Sequence, residues 1–414
     1  MVAEILNVGS EILIGDILNT NAKYLSTILS DMGFDVLWHT TVGDNEKRLK
    51  FAIENALKRS DLLVITGGLG PTKDDITKEV VASTLGRELF EDEEVRRQIE
   101  KKFEARGEKA TENNFKQSLV IKGSKVFKNH YGTAPALAIS DEGKIILLLP
   151  GPPLELKSIF ENDVVSYLKD YTDSIIFSKN IHIYGLAESL VDEKVSDFLV
   201  QTNPSVGIYA KEGEVRLRVT AKAKNKKECE EMVDDVVEKI KERLGEYIYG
   251  IDILNMGNSL VKTFLEKNRT LAVAESCTGG FISSKIVEIA GCSKIFRLGV
   301  VCYSNRAKEE ILNVRSSSLK RFGAVSSVVA KEMAYGVRRV SGADFAVSTT
   351  GIAGPDGGTK LKPVGLVYVG ISTKKETKAY RLCLSFGEKN EREKIRIRAS
   401  LFAMNKIRQE VLKL

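Results

Sequence analysis

Through about residues 1–170, short apolar runs rich in β-branched residues alternate with segments whose apolar positions recur at helical spacing. AEILNVG, FDVLWHTTVG, DLLVITGG and KIILLLPG read as buried strands, and TNAKYLSTILSDMG, EKRLKFAIENALKRS and DITKEVVASTLG as the helices between them. That rhythm predicts parallel strands joined by crossover helices, a layered α/β domain. Loops rich in Gly, Pro, Asp and Asn follow the strand ends, where such a sheet binds ligands.

The pattern changes over about 175–250. FSKNIHIYG predicts a strand, a helix follows from about Glu188 to Leu199, and SVGIYAKEGEVRLRVTAKA predicts a hairpin turning at Lys211-Glu212-Gly213. NKKECEEMVDDVVEKIKERLG closes this small α+β module as a charged helix. It lacks the GxxG loop between helices with which KH modules clamp nucleic-acid backbone, so a spacer or interface role is expected rather than nucleic-acid binding. From about 255 to 414 the α/β rhythm returns, with strands in TLAVAE, FRLGVVCYSN and DFAVSTTG, a hairpin of GLVYVGIST and KAYRLCLSF, and a long final helix.

A length of 414 residues exceeds one ordinary core and is enough for two or three. Apolar content of 43% and charged content of 29% fit a soluble globular chain, and no apolar run approaches the roughly 20 residues of a membrane span. The opening MVAEILNVGSEILIGD puts no positive segment ahead of an apolar block, which predicts a cytoplasmic location. The net charge of +6 is spread over 62 basic and 56 acidic residues, so it suits anionic metabolites as well as nucleic acid. Five cysteines, at 229, 277, 292, 302 and 383, show no CxxC spacing and read as reduced thiols.

Three strand ends of the last domain carry unusual residues: Glu275-Ser276-Cys277-Thr278-Gly279-Gly280, Tyr303-Ser304-Asn305, and the stretch from Thr349 to Pro355. In a parallel sheet these ends converge on one rim. Ser276 falls where a strand hands over to a helix, so helix N-terminal amides are expected to stabilise a negative oxygen beside it, of a phosphate or of an acyl-transfer intermediate. Ser276 or Thr278 equally suits a plain helix cap. Histidines occur only at 39, 130 and 182, outside this domain, which argues against a Ser-His-Asp triad. Lys308, downstream of Tyr303 in YSNRAK, offers a Ser-Lys or Ser-Tyr-Lys set in which a desolvated amine or a phenolate takes the serine proton; the bland alternative is a helical surface lysine. Cys277 is the rival nucleophile, since a thiol at a helix N-terminus ionises more readily, although its position turns it toward the packed side.

AESCTGG, YSNRAK, STTGIAGPDGG and the basic terminal helix resemble the C-terminal domain of the CinA family over about 255–414. The resemblance implies a nicotinamide mononucleotide deamidase yielding nicotinate mononucleotide and ammonia without a cofactor, with the family's serine, tyrosine and lysine on Ser276, Tyr303 and Lys308. Amide hydrolysis also needs oxyanion donors, and a 5′-phosphate needs amides or a cation. Thr278, Gly279 and Gly280 are candidates at one end of such a site. Thr350, Gly351, Gly354 and Gly357 are candidates at the other, with Arg398 or Arg396 as the cationic partner.

In the first domain two strand-end loops stand out, NVGSEILIGDILNTN and TGGLGPTKDDITKE. The second is not a P-loop, because Gly-Lys-Ser/Thr is missing. Asp75 alone suits a helix cap; with Asp44 in VGDN and PGPP (Pro150–Pro153) it marks a rim where carboxylates bind a hard divalent cation, magnesium or similar, that screens a pyrophosphate. Amides at Gly67 to Gly70 would then meet phosphates. TGGLGPTKDDIT and LPGPP resemble molybdopterin-binding domains such as that at the CinA N-terminus, so the family resemblance covers nearly the whole chain.

That resemblance implies metal-dependent cleavage of ADP-ribose to AMP and ribose 5-phosphate, with Asp44 and Asp75 at the metal or phosphate and Asn19, Asn21, Gly68 and Gly70 as ligand-loop residues. It further implies a homodimer with three parts: a three-layer molybdopterin-binding-like domain (1–170), a KH-like α+β linker (175–250) and a three-layer α/β deamidase domain (255–414). The alternative is a non-catalytic molybdopterin- or nucleotide-binding competence or regulatory protein, and it stands higher for the first domain, since a phosphate cradle need not hydrolyse.

Overall fold

The structure is a computed structural model that describes residues 1–172, 175–387 and 391–414. The chain forms two compact units, Met1–Ser178 with Ala221–Met232, and Lys179–Thr220 with Val233–Leu414.

The first unit is built on strands β1 (Val2–Val8), β2 (Asp35–Val42), β3 (Leu62–Thr66), β4 (Leu89–Glu91), β5 (Leu119–Ile121), β6 (Lys125–Phe127), β7 (Ala136–Asp141) and β8 (Lys144–Leu149). Its main sheet has the order β2-β1-β3-β8-β7-β6, and β4 pairs with β5 alone. The four strands expected from the sequence are β1, β2, β3 and β8, and these pair in parallel. The all-parallel expectation fails beyond them, where β7 runs antiparallel to β8 and β6 to β7. The reason is local: Glu142 and Gly143 have φ of 45° and 78°, a tight two-residue turn that returns the chain directly, with no crossover helix. Strand β3 is buried throughout. Leu62 and Val64 pack with Leu25 and Phe160, whereas Leu63 and Ile65 pack with Leu49 and Val80, so helices cover both faces and the domain has three layers.

The middle segment contributes β9 (Ile175–Tyr184), β10 (Ser205–Lys211), β11 (Glu214–Ala223) and β12 (Ile248–Ile251), in the order β10-β11-β9-β12. Lys211 pairs with Glu214 at the tip of the β10–β11 hairpin, and the helix read at Glu188–Leu199 spans those residues.

In the last segment β13 (Leu271–Glu275), β14 (Phe296–Val301), β15 (Phe345–Gly351), β16 (Leu366–Ser372) and β17 (Thr377–Cys383) form a sheet of order β14-β13-β15-β16-β17. β13 is parallel to both neighbours, and β15, β16 and β17 are successively antiparallel. Alternation along β13 sends Leu271 and Val273 toward Ile395 and Ile407 of the final helix (Arg392–Leu412). Ala272 and Ala274 face Met333 and Val337 of the helix Ser327–Ser341 on the other side. The last residue of β13, Glu275, stands opposite Val301 and Thr349, so three strand ends meet on one rim. Among the described residues no helix is long and apolar enough to cross a membrane.

Candidate active sites

Ser276 continues the line of β13 by one residue, its amide donating to the Thr349 carbonyl at 3.0 Å. The side chain is 8% exposed. Lys308 reaches it from the helix Asn305–Leu312, whose N-cap Ser304 accepts from the Ala307 amide. The Lys308 Nζ donates to Ser276 Oγ at 3.1 Å and to the carbonyls of Cys302 and Tyr303 at 2.7 and 3.1 Å. Lys308 is buried and has no carboxylate partner among the described residues, so it is no surface lysine. Burial pushes its ammonium pKa down, which favours the neutral amine that a serine base requires.

The loop after Ser276 turns through Gly279 and Gly280, with φ of 62° and 90°, into the helix Phe281–Val287. Neither Ser276 nor Thr278 caps that helix. The buried carboxylate of Glu275 takes the position, accepting from the Ile282 and Ser283 amides at 3.1 and 2.9 Å and from the Thr278 and Ser283 hydroxyls at 2.7 Å each. The helix end expected to await an anion is therefore filled by the chain's own anion. Amides of Cys277, Thr278 and Gly280 have no hydrogen-bond partner among the described residues, and they are the donors left for an oxyanion. Cys277 is buried, and burial pushes its thiol up to about 12, so it is a poor nucleophile at neutral pH. Cys277→Ala is expected to keep turnover within about threefold of wild type, as a small core residue replaced by a similar one. A steady-state assay of ammonia release checks this.

In the first unit the C-terminal ends of β1, β2, β3 and β8 surround a cavity of about 660 Å³. Asn19, Asn21, Asp44, Gly67, Gly68, Gly70 and Asp75 all line it, so every ligand-loop residue read from the sequence converges there. Asp44 Oδ2 accepts from the amide and hydroxyl of Ser10 at 3.1 and 2.8 Å; Asp75 Oδ2 accepts from the amide and hydroxyl of Thr72 at 2.9 and 2.6 Å. Asp75 is thus not a cap, since the helix Thr77–Thr84 has none from a side chain. Asn19 does cap, accepting from Ala22.

Oδ1 of Asp44 and of Asp75 has no hydrogen-bond partner among the described residues. No group of three or more His, Cys, Asp or Glu suited to a metal occurs there either. This donor set fits a hydrated magnesium ion, which takes one or two carboxylates and fills its shell with water and substrate phosphates. A Cβ at Gly67 would lie 2.1 Å from the Val8 carbonyl oxygen, and φ there is 101°. Gly67→Ala is expected to cost the first unit about 3 kcal/mol or more from clash and backbone strain. Urea unfolding followed by fluorescence of Trp38, the chain's one tryptophan, reports the loss.

Residues 4–170 match a probable molybdopterin binding domain, 178–250 the damage-inducible protein CinA KH domain, and 254–411 the CinA C-terminal domain. A relative in Thermoanaerobacter sp. (strain X514) is 50% identical over 412 residues, covering 100% of this chain and 99% of its own. The chain belongs to the CinA family. A CinA-like protein of Dictyoglomus turgidum is 47% identical over the full length of both chains. A crystal structure of CinA from Thermoplasma acidophilum is 34% identical, covers 41% of this chain and 98% of its own, and superposes with a TM-score of 0.38.

Several residues expected at the CinA C-terminal site lie elsewhere. Arg398 donates to Glu212 at 2.6 Å and to the Leu384 carbonyl at 2.8 Å and lies over the ring of Phe386, so it is committed to the β10–β11 turn rather than to a phosphate. Arg396 lies on the Ser276 loop, donating from Nε and Nη2 to the Thr278 carbonyl at 3.2 and 3.0 Å, with no carboxylate partner among the described residues. The Thr278 and Thr350 side chains are internal: Thr278 binds Glu275 and Thr349, and Thr350 donates to the Ala324 carbonyl at 2.9 Å. Gly351 packs on β16, where a Cβ would meet Val367 at 2.6 Å. Gly354 offers its carbonyl to Arg392, and Gly357 is exposed. Tyr303 meets Lys308 through its carbonyl alone; its side chain is 66% exposed and its hydroxyl has no partner among the described residues.

Sequence reasoning places Glu275 at the strand end without giving it a role, and it misses Lys78 and Gln117. Lys78 is buried, donating to the carbonyls of Lys116, Gln117 and Leu119, and burial lowers its pKa to about 8. A buried lysine between a charged helix and a loop has no local sequence signature.

Proposed function

We propose that this CinA chain is a two-headed hydrolase of pyridine-nucleotide by-products. The last domain deamidates nicotinamide mononucleotide to nicotinate mononucleotide and ammonia. The first cleaves ADP-ribose to AMP and ribose 5-phosphate. The observation that carries the deamidase reading is the 3.1 Å contact between Ser276 Oγ and a buried Lys308 Nζ that has no carboxylate partner among the described residues.

Ser276 Oγ attacks the carboxamide carbon while the neutral Lys308 amine takes its proton. The carbonyl oxygen becomes an oxyanion, for which the amides of Cys277, Thr278 and Gly280, without a partner among the described residues, are the donors on the loop. When the C–N bond breaks, Lys308 returns the proton and ammonia leaves, with an ester on Ser276. Water then attacks the ester with Lys308 again as base, releasing the carboxylate and regenerating the hydroxyl. Arg396, which donates to the Thr278 carbonyl, is the cation this reading assigns to the phosphate. This scheme calls on no metal.

In the first domain Asp44 and Asp75 would hold the divalent cation, which when bound screens the pyrophosphate charge and polarises it toward water. The Gly67–Gly70 loop lines the cavity, where its backbone amides would meet the phosphates. Asp75→Asn is expected to lower metal-dependent ADP-ribose cleavage about 100-fold, within the range lost with a metal-site residue. Chromatography of AMP formed at several magnesium concentrations checks it, and unchanged cleavage refutes the assignment.

Incubating the purified chain with each substrate separately, with and without divalent cation, tests the whole reading. Ammonia without added cation and AMP only with it are expected. Binding of either nucleotide without turnover would instead mark a binding protein. Gel filtration tests the homodimer that the reading includes.

A further inference from the structure

The cavity of the first unit is lined by two amide side chains whose nitrogens donate to the protein while their oxygens have no partner among the described residues. Gln117 lines it and is 3% exposed. Its Nε2 donates to the Leu69 carbonyl at 3.3 Å, and its Oε1 has no partner. Turning the amide over would set Oε1 against that carbonyl, two acceptors face to face, so the orientation is fixed. Asn21 repeats the arrangement, with Nδ2 donating to the Gly151 carbonyl at 2.7 Å and to the Thr66 hydroxyl at 3.3 Å, and with Oδ1 buried and unpartnered. A buried acceptor without a donor carries an unrecovered desolvation cost, and a functional site is one of the few places where a fold tolerates it. Here two residues that line one ligand cavity each carry such an oxygen.

We propose that Gln117 and Asn21 read an uncharged hydrogen-bond donor on the nucleoside end of the ligand, either a ribose hydroxyl or the exocyclic amine of the base. This rests on the reading of the first domain as an ADP-ribose hydrolase and adds what selects its substrate. Phosphate oxygens are acceptors and gain nothing from these two atoms, so inorganic phosphate and pyrophosphate are discriminated against. A site that hydrogen-bonds a substrate donor rejects analogues lacking it, because its own polar atoms are then left unpaired.

The test compares kcat/KM of the full chain with magnesium for ADP-ribose, its hypoxanthine analogue, which replaces the amine by a carbonyl, and its 2′-deoxy- and 3′-deoxyadenosine analogues. The wild type is expected to disfavour one of these by about tenfold or more, the loss of one well-made hydrogen bond that leaves a buried acceptor unpaired. The analogue affected identifies the donor. Gln117→Met, which removes the acceptor at similar volume, is expected to lose a similar factor on ADP-ribose and to treat that analogue and the parent alike. A wild type indifferent to all three analogues overturns the proposal and leaves trapped water as the partner of both oxygens; that comparison needs no folded variant. Retention of the preference in Gln117→Met also overturns the assignment of Gln117. If the wild type cleaves no ADP-ribose, the reading of the domain itself fails.

Discussion

Ser276→Ala is expected to abolish ammonia release from nicotinamide mononucleotide, lowering kcat by about 1,000-fold or more, in the range seen when a catalytic nucleophile is removed. The alanine removes one hydroxyl from a residue whose backbone is held independently by the bond from its amide to Thr349. Glu275 keeps the helix end capped through four hydrogen bonds that do not involve Ser276. The loop therefore retains its shape, and substrate affinity, measured by titration calorimetry, is expected to change by less than about threefold, since no binding group is removed. Residual turnover near the wild-type rate would show that the hydroxyl is not the nucleophile.

The second large effect is that of Lys308→Met. Methionine fills a similar volume without a charge, so the variant is expected to fold, although the Cys302 and Tyr303 carbonyls lose a donor. Removing the base is expected to lower kcat by about 100- to 10,000-fold, the usual contribution of general acid–base catalysis. KM should move little, because the amine touches Ser276 and backbone rather than a binding group. The pH profile separates this role from a structural one. Burial holds the Lys308 pKa below the ordinary lysine value, so the reactive neutral amine accumulates as pH rises and is scarce at low pH. Wild-type kcat/KM should climb with pH and reach its plateau earlier than an exposed lysine would allow, and this rise should vanish in Lys308→Met.

Much of this was legible because the informative residues lie at element ends. Buried parallel strands are nearly continuous apolar runs, which is why β1, β3, β8, β13 and β15 stood out, and the turns after them carried Asp44, Asp75, Gly67 and Ser276. Lys308 could be read because one short helix follows β14 directly. The arginines of the final helix could not be apportioned. Arg396 and Arg398 are two residues apart, which on a helix separates their directions by about 200°, and only packing decides which side meets the Ser276 loop. The role of Glu275 is not legible, because a glutamate closing a strand gives no sign of reaching the amides of Ile282 and Ser283. Gln117 was invisible for the same reason, its partner Leu69 being 48 residues away. The sequence does not announce the antiparallel β7–β8 hairpin, because its Glu142-Gly143 turn departs from the Asn-Gly and Asp-Gly signals of tight hairpins.

The central claim is that the substrate becomes covalently attached to Ser276. Acid-quenching the chain during turnover of nicotinamide mononucleotide, digesting it and weighing the peptides measures this directly. The peptide containing Ser276 should gain the mass of the substrate less ammonia, with the ester fragmenting at that serine. Ongoing ammonia release with no adduct on any peptide, or with the adduct on Cys277, would contradict it.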